Sequence, residues 1–71
     1  MDAQSILAGL PDGTDLIRPA RIGALLDSSP AWVYARIKAG ELRAVRVDGA
    51  IRVRRADLAA WLSEHVVEHV A

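Results

Sequence analysis

The sequence predicts a mainly helical domain with one small β-hairpin, and three observations point to it. Apolar residues recur at helical spacing in three stretches. The first two stretches are only a few residues apart. Between the second and the third the period falls to two, around a Gly-containing turn. At 71 residues the chain has room for one domain, and a domain of this size buries only about 60% of the surface its unfolded form exposes. Hydrophobic residues make up 52% of the chain, but Phe is absent and the aromatics are Trp32, Tyr34 and Trp61, so Ala, Val, Leu and Ile must fill most of the interior.

In chain order, residues 1–10 suit a short helix through Ile6, Leu7 and Leu10, cut off by the turn signal Pro11-Asp12-Gly13. Residues 1–16 are expected to be an N-terminal arm. The next helix starts with Pro19 at its first position and turns Ile22, Leu25 and Leu26 to one face. Gly23 inside it costs about 1 kcal/mol relative to Ala, which suggests that another backbone approaches closely there. Asp27 tolerates the left-handed conformation that ends helices. Ser29-Pro30 then restarts one, a hydroxyl N-cap followed by a proline that has no N–H to lose. The second helix runs to about Ala39 and is stopped by Gly40, with Val33 and Ile37 facing inward. Two helices joined this tightly read as a helix-turn-helix.

From Leu42 the side chains alternate through Val47, and again over Ile51–Arg54, which predicts a hairpin. A three-residue loop over Asp48, Gly49 and Ala50 is the expected connection. It sets Val47 opposite Ile51 and Val45 opposite Val53, gathering four β-branched residues on one face. A two-residue Asp-Gly loop would instead mix the valines with Arg52. After Arg55 the helical period returns, with Leu58, Trp61, Leu62, His65 and Val66 on one stripe that closes the core. The domain is expected over residues 17–64, with 65–71 as a C-terminal helix extension.

The formal net charge is zero, but the charge is not evenly spread. Residues 18–55 hold all nine basic residues and three acids, a net of +6, while residues 1–17 and 56–71 carry −3 each. A block of this sign beside a polyanion gains by releasing condensed counterions, so nucleic acid is the first partner to consider; a solvated basic surface is the alternative. No cysteine is present, which excludes disulfides and thiolate metal sites. The apolar runs are too short to span a membrane and the N-terminus lacks a signal-peptide pattern, so a cytosolic, soluble protein is expected. His65 and His69 are one helical turn apart but lack the glutamate placement of a zinc protease, and neither a catalytic triad nor a phosphate loop is found. No enzyme, metal or cofactor is expected.

On the second helix, Ala31, Tyr34, Ala35 and Lys38 face away from Val33 and Ile37. In a major groove the two alanines would meet thymine methyls and allow close approach, while Tyr34 and Lys38 would reach phosphates. Hydrogen-bonded base readout would then be sparse, and sequence preference would lean on DNA shape and on the arginines of the hairpin. In the three-residue-loop register Arg46 and Arg52 oppose each other on the exposed hairpin face, with Arg54 two residues along; an anion at that face would relieve their repulsion. Arg18 and Arg21 begin the first helix, a region that crosses the DNA backbone in helix-turn-helix docking. Trp32 is expected to pack against the first helix or the arm, with Arg36 able to stack on its indole. Trp61 is expected in the core.

The segments Arg18–Leu26, Val33–Leu42, Ala44–Val47 and Ile51–Leu62 together resemble the excisionase-like, MerR-related winged helix-turn-helix domains. The resemblance covers Ile17–Leu62 and implies a mainly α winged helix-turn-helix that binds double-stranded DNA. By the family pattern the helix from Ser29 is the recognition helix, Tyr34 and Lys38 lie on its DNA side, and Asp48, Gly49, Ala50 and Arg52 form the wing. The chain departs from that pattern at Arg18, Asp27-Ser28, Pro30, Ala31 and Ala35. The resemblance implies an excisionase or a small transcriptional regulator, with an integrase or further copies of the chain on adjacent sites as additional partners. The long coiled-coil helix and ligand-binding domain of full MerR regulators are not present, so no small-molecule effector is expected. A competing reading is a protein-protein adaptor that keeps the winged fold and uses it, or Val66, Val67 and Val70, to hold a partner.

Overall fold

The computed structural model describes residues 3–11, 13 and 15–65. The elements in order are α1 (Ala3–Leu7), β1 (Leu16–Ile17), α2 (Pro19–Leu25), α3 (Pro30–Lys38), β2 (Val45–Val47), β3 (Ala50–Arg54) and α4 (Arg55–His65). The protein is mostly helical, with a three-stranded antiparallel sheet of order β1-β3-β2 beside a helix-turn-helix pair, the arrangement of a winged helix-turn-helix.

Local chemistry sets most of these boundaries. Pro19 opens α2 and Pro30 opens α3, where a missing N–H costs nothing. The Ser29 hydroxyl caps α3 by accepting from the Trp32 amide at 3.1 Å. Between the two helices Asp27 sits at φ +55°, and the Ser28 amide donates to the Gly23 carbonyl at 2.7 Å. A Cβ on Gly23 would lie 2.8 Å from the Ser28 carbonyl oxygen, so a bare α-carbon is what lets the turn fold back on α2. Gly40 at φ +80° ends α3, and the amides of Glu41 and Leu42 both donate to the Arg36 carbonyl at 3.0 and 3.3 Å.

The core contains Ile17, Ile22, Val33, Leu42, Val53, Leu58 and Leu62, each almost wholly buried, together with Ile6, Leu7, Leu10 and Trp61. The segment expected as an arm therefore supplies three core residues. Helix α1 packs on α4, the Arg55 guanidinium donates to the Leu7 carbonyl at 3.3 Å, and the Arg55 amide donates to the Asp15 carbonyl at 2.8 Å. Strand β1 was not foreseen: Ile17 pairs with Val53 and Leu16 with Arg54, so Ile17 joins the core face of the sheet while Leu16 stays exposed.

The hairpin register corrects the sequence expectation. Its partners are Val45 with Arg52, Arg46 with Ile51 and Val47 with Ala50, joined by a two-residue loop in which Asp48 and Gly49 lie at φ +50° and +82°. Two left-handed residues in succession make a turn whose twist matches that of the strands, whereas a three-residue loop would have forced Ala50 into the left-handed region. Loop geometry outweighs the gathering of valines because the core takes little from this ribbon. Val53 is fully buried, but Ile51 and Val45 are only half-buried and Val47 is 42% exposed. The regular strand is also shorter than expected, starting at Val45; Leu42 is buried before it begins.

Candidate nucleic-acid interface

The candidate interface begins on α3. Val33 is fully buried and Ile37 packs against the core, and this fixes the rotation of the helix. As helical geometry requires, Ala31, Tyr34, Ala35 and Lys38 form the opposite stripe, all exposed, with Tyr34 at 47%. The phenol and the ammonium are the only strong side-chain donors on that stripe; the other two positions present methyl groups.

The flank of α3 is held by a row of stacked groups. The Arg36 guanidinium lies over the Trp32 ring at 5.5 Å from its centroid and pairs with Glu41, Nε to Oε2, at 3.3 Å. Trp32 meets Trp61 edge to face, with centroids 5.9 Å apart and planes at 65°. Its aromatic contact is thus with α4, a different partner from the first helix or arm that the sequence suggests. Trp61 is buried as expected and stacks in turn on His65 at 5.0 Å, while His65 Nδ1 lies 2.8 Å from the Trp61 carbonyl. Arg36 is therefore turned from the outward stripe towards Trp32 and Glu41. His69, with Val66, Val67 and Val70, lies outside the described residues, and no group of His, Asp and Glu able to hold a metal occurs among the described ones.

The wing differs from expectation in one respect. Because the register is Val45 to Arg52 and Arg46 to Ile51, Arg46 leaves the ribbon on the face that carries Ile51 and Val53, and Arg52 and Arg54 leave it on the other. The expected cross-strand pair of Arg46 and Arg52 does not form, and with it goes the like-charge repulsion. Arg52 shares its face with Val45, Val47 and Ala50, and its guanidinium donates to the Ile51 carbonyl at 2.7 Å. Gly49 stands at the tip with open space where a side chain would be.

Arg18 and Arg21 are exposed at the start of α2, beside a groove lined by Leu10, Pro11, Leu16, Ile17, Ala20 and Ala24. Arg18 precedes Pro19 and takes the N-cap place without a side-chain cap bond. Among the described residues, none of Arg18, Arg21, Lys38, Arg46, Arg52 and Arg54 makes an ion pair. Sequence reasoning missed Leu16, which the unforeseen β1 places on the same sheet face as Arg52 and Arg54. No helix among the described residues is long and apolar enough to cross a membrane.

The family model of the helix-turn-helix domain matches residues 17–66, which spans α2, α3, the hairpin and α4. No curated protein and no solved structure is similar enough to the chain to count as a match.

Proposed function

The chain belongs to the helix-turn-helix domain family, and from that premise we propose that it binds double-stranded DNA through α3 and the wing. The helix from Ser29 enters the major groove with Ala31, Tyr34, Ala35 and Lys38 towards the bases and backbone. The wing tip at Gly49 reaches the neighbouring minor groove, and Arg18, Arg21, Arg52 and Arg54 hold phosphates, with Arg46 on the other side of the ribbon. The observation that carries this reading is the pairing of an exposed, uncommitted stripe on α3 with Arg18, Arg21, Arg52 and Arg54, which make no ion pair among the described residues. Phosphate contacts of this kind set affinity and register, while bases are read by what the groove-facing helix presents.

The finer role proposed is that of an excisionase-type factor, related to the MerR-like winged domains, or of a small transcriptional regulator. In either role it works by occupying or bending DNA, alone, with an integrase, or as several copies on adjacent repeats. No chemical step is required of it. The test is equilibrium binding to duplex DNA over a range of salt. Each phosphate contact steepens the fall of log affinity with log salt by about 0.9. A steep line is the expected result, and affinity independent of salt would overturn the proposal.

A further inference from the structure

Strand β1 forms one edge of the sheet, and its backbone is only half used. The Arg55 amide donates to the Asp15 carbonyl at 2.8 Å, which makes Asp15 and Arg55 a hydrogen-bonded pair in the register that sets Leu16 against Arg54 and Ile17 against Val53. Bonded and unbonded pairs alternate along an antiparallel ladder. Leu16 is therefore an unbonded position, and both its N–H and its C=O point away from β3. Among the described residues neither group has a partner, and Leu16 is 44% exposed. The groove beside α2 lies on this outer side, because its lining comes from β1, α2 and the segment after α1 and not from β3. Leu10, Pro11, Ala20 and Ala24 make the groove apolar, and Arg18 and Arg21, without an ion pair among the described residues, make it cationic.

We infer that this edge docks an extended acidic peptide segment of a partner protein, which joins the sheet as a fourth strand beside β1. An open edge accepts a strand because main-chain hydrogen bonds supply affinity while neighbouring pockets read the side chains. The peptide residue opposite Leu16 exchanges two hydrogen bonds with it, one through each of the unpaired groups. Alternate side chains of a strand point to opposite faces, so an apolar one enters the groove while an acidic neighbour meets the Arg18 and Arg21 guanidiniums. Charge also selects against a second copy pairing through its own open edge. That edge is β2, which carries Arg46, and edge-to-edge pairing would set cations beside cations. The inference stands apart from the DNA-binding reading, except that a peptide carboxylate on Arg18 and Arg21 takes the place of a phosphate there.

The experiment titrates the isotope-labelled full chain with capped synthetic hexapeptides and reads backbone amide shifts and hydrogen exchange by NMR. A peptide alternating valine with glutamate is expected to shift the amides of Leu16, Ile17, Arg18 and Arg21, and at about ten times its Kd to slow exchange at Leu16 by about tenfold. A peptide alternating valine with lysine should bind more weakly by about tenfold or more. The glutamate peptide methylated on all its backbone amides keeps its side chains but has no donor for the Leu16 carbonyl, and it should lose about fivefold. Arg18→Ala and Arg21→Ala should each weaken the glutamate peptide by about 2- to 5-fold; both residues are exposed, so the fold should hold. Equal binding of the lysine or the methylated peptide, shifts confined to α3 and the wing, or no shifts with any of the three would overturn the inference. Slow exchange of the Leu16 amide in the free chain would overturn it too, since the edge would then already be covered by the chain itself or by a second copy. None of these outcomes alters the salt dependence of DNA binding, so the two readings fail separately.

Discussion

Gly23 and Ser28 are in backbone contact: a Cβ at position 23 would stand 2.8 Å from the Ser28 carbonyl oxygen and 3.1 Å from two further backbone atoms of Ser29. These atoms form the turn that orients α3 on α2, so no flexible side chain can swing aside. Gly23→Ala gains about 1 kcal/mol in helix propensity, but overpacking against a fixed neighbour costs about 1–3 kcal/mol. The contact should win. Thermal unfolding is expected to move down by about 4–8 °C for each kcal/mol of net loss. A rise in Tm would show that the turn relaxes freely and that the α2–α3 angle does not depend on Gly23.

The hairpin turn makes a separate demand. Gly49 at φ +82° faces open space, so the cost of a side chain there is purely conformational. Gly49→Ala is expected to cost about 1–2 kcal/mol, while Asp48→Asn, a residue suited to the left-handed region, should be tolerated without loss. Melting curves of the two variants check this. Equal stability of Gly49→Ala and the wild type would mean that the loop is not the two-residue turn seen here.

Both sites are set by chemistry that is local in the sequence. The close approach at Gly23, the left-handed Asp27, the Ser29 cap, the stop at Gly40 and the outward stripe of α3 all follow from chemistry within a few residues, and the sequence reveals them. The hairpin register does not follow from such local chemistry, because alternation predicts burial of one whole face. The ribbon in fact runs out past the core, and only Val53 needs to be inside. Once the register shifts by a residue, every side chain changes face, so the arrangement of Arg46 against Arg52 and Arg54 was lost with it. Strand β1 has two residues, too few to show any period, and its pairing with β3 depends wholly on tertiary contact.

The docking of α1 was hidden for the same reason, and it carries its own expectation. Leu7 is 3% exposed and lies in the same core cluster as Leu58 and Leu62. Leu7→Ala should cost about 2–5 kcal/mol, a large fraction of the stability of a small domain. A dispensable arm would lose nothing. Urea or thermal denaturation of Leu7→Ala distinguishes the two: a midpoint equal to that of the wild type would mean that residues 3–10 do not belong to the folding unit.

The last expectation concerns the two faces of the wing. Arg52 and Arg54 stand two residues apart on one side of β3, about 6.6 Å along the strand, and Arg46 stands on the other side. A ribbon laid against a DNA backbone presents one face to it, so the arginines should not contribute equally. We take the contacting face to be that of Arg52 and Arg54, because it carries two guanidiniums and they can act on the same strand. Arg52→Ala and Arg54→Ala should each flatten the salt dependence of DNA binding by about 0.9 in log-log slope, and the double variant by about 1.8. Arg46→Ala should leave the slope nearly unchanged. Because all three side chains lie outside the buried core, melting temperatures should stay close to the wild type, which separates loss of contact from loss of fold. The reverse ranking, with Arg46→Ala flattening the slope and the other two inert, would turn the wing over and bring Ile51 rather than Val47 against the DNA.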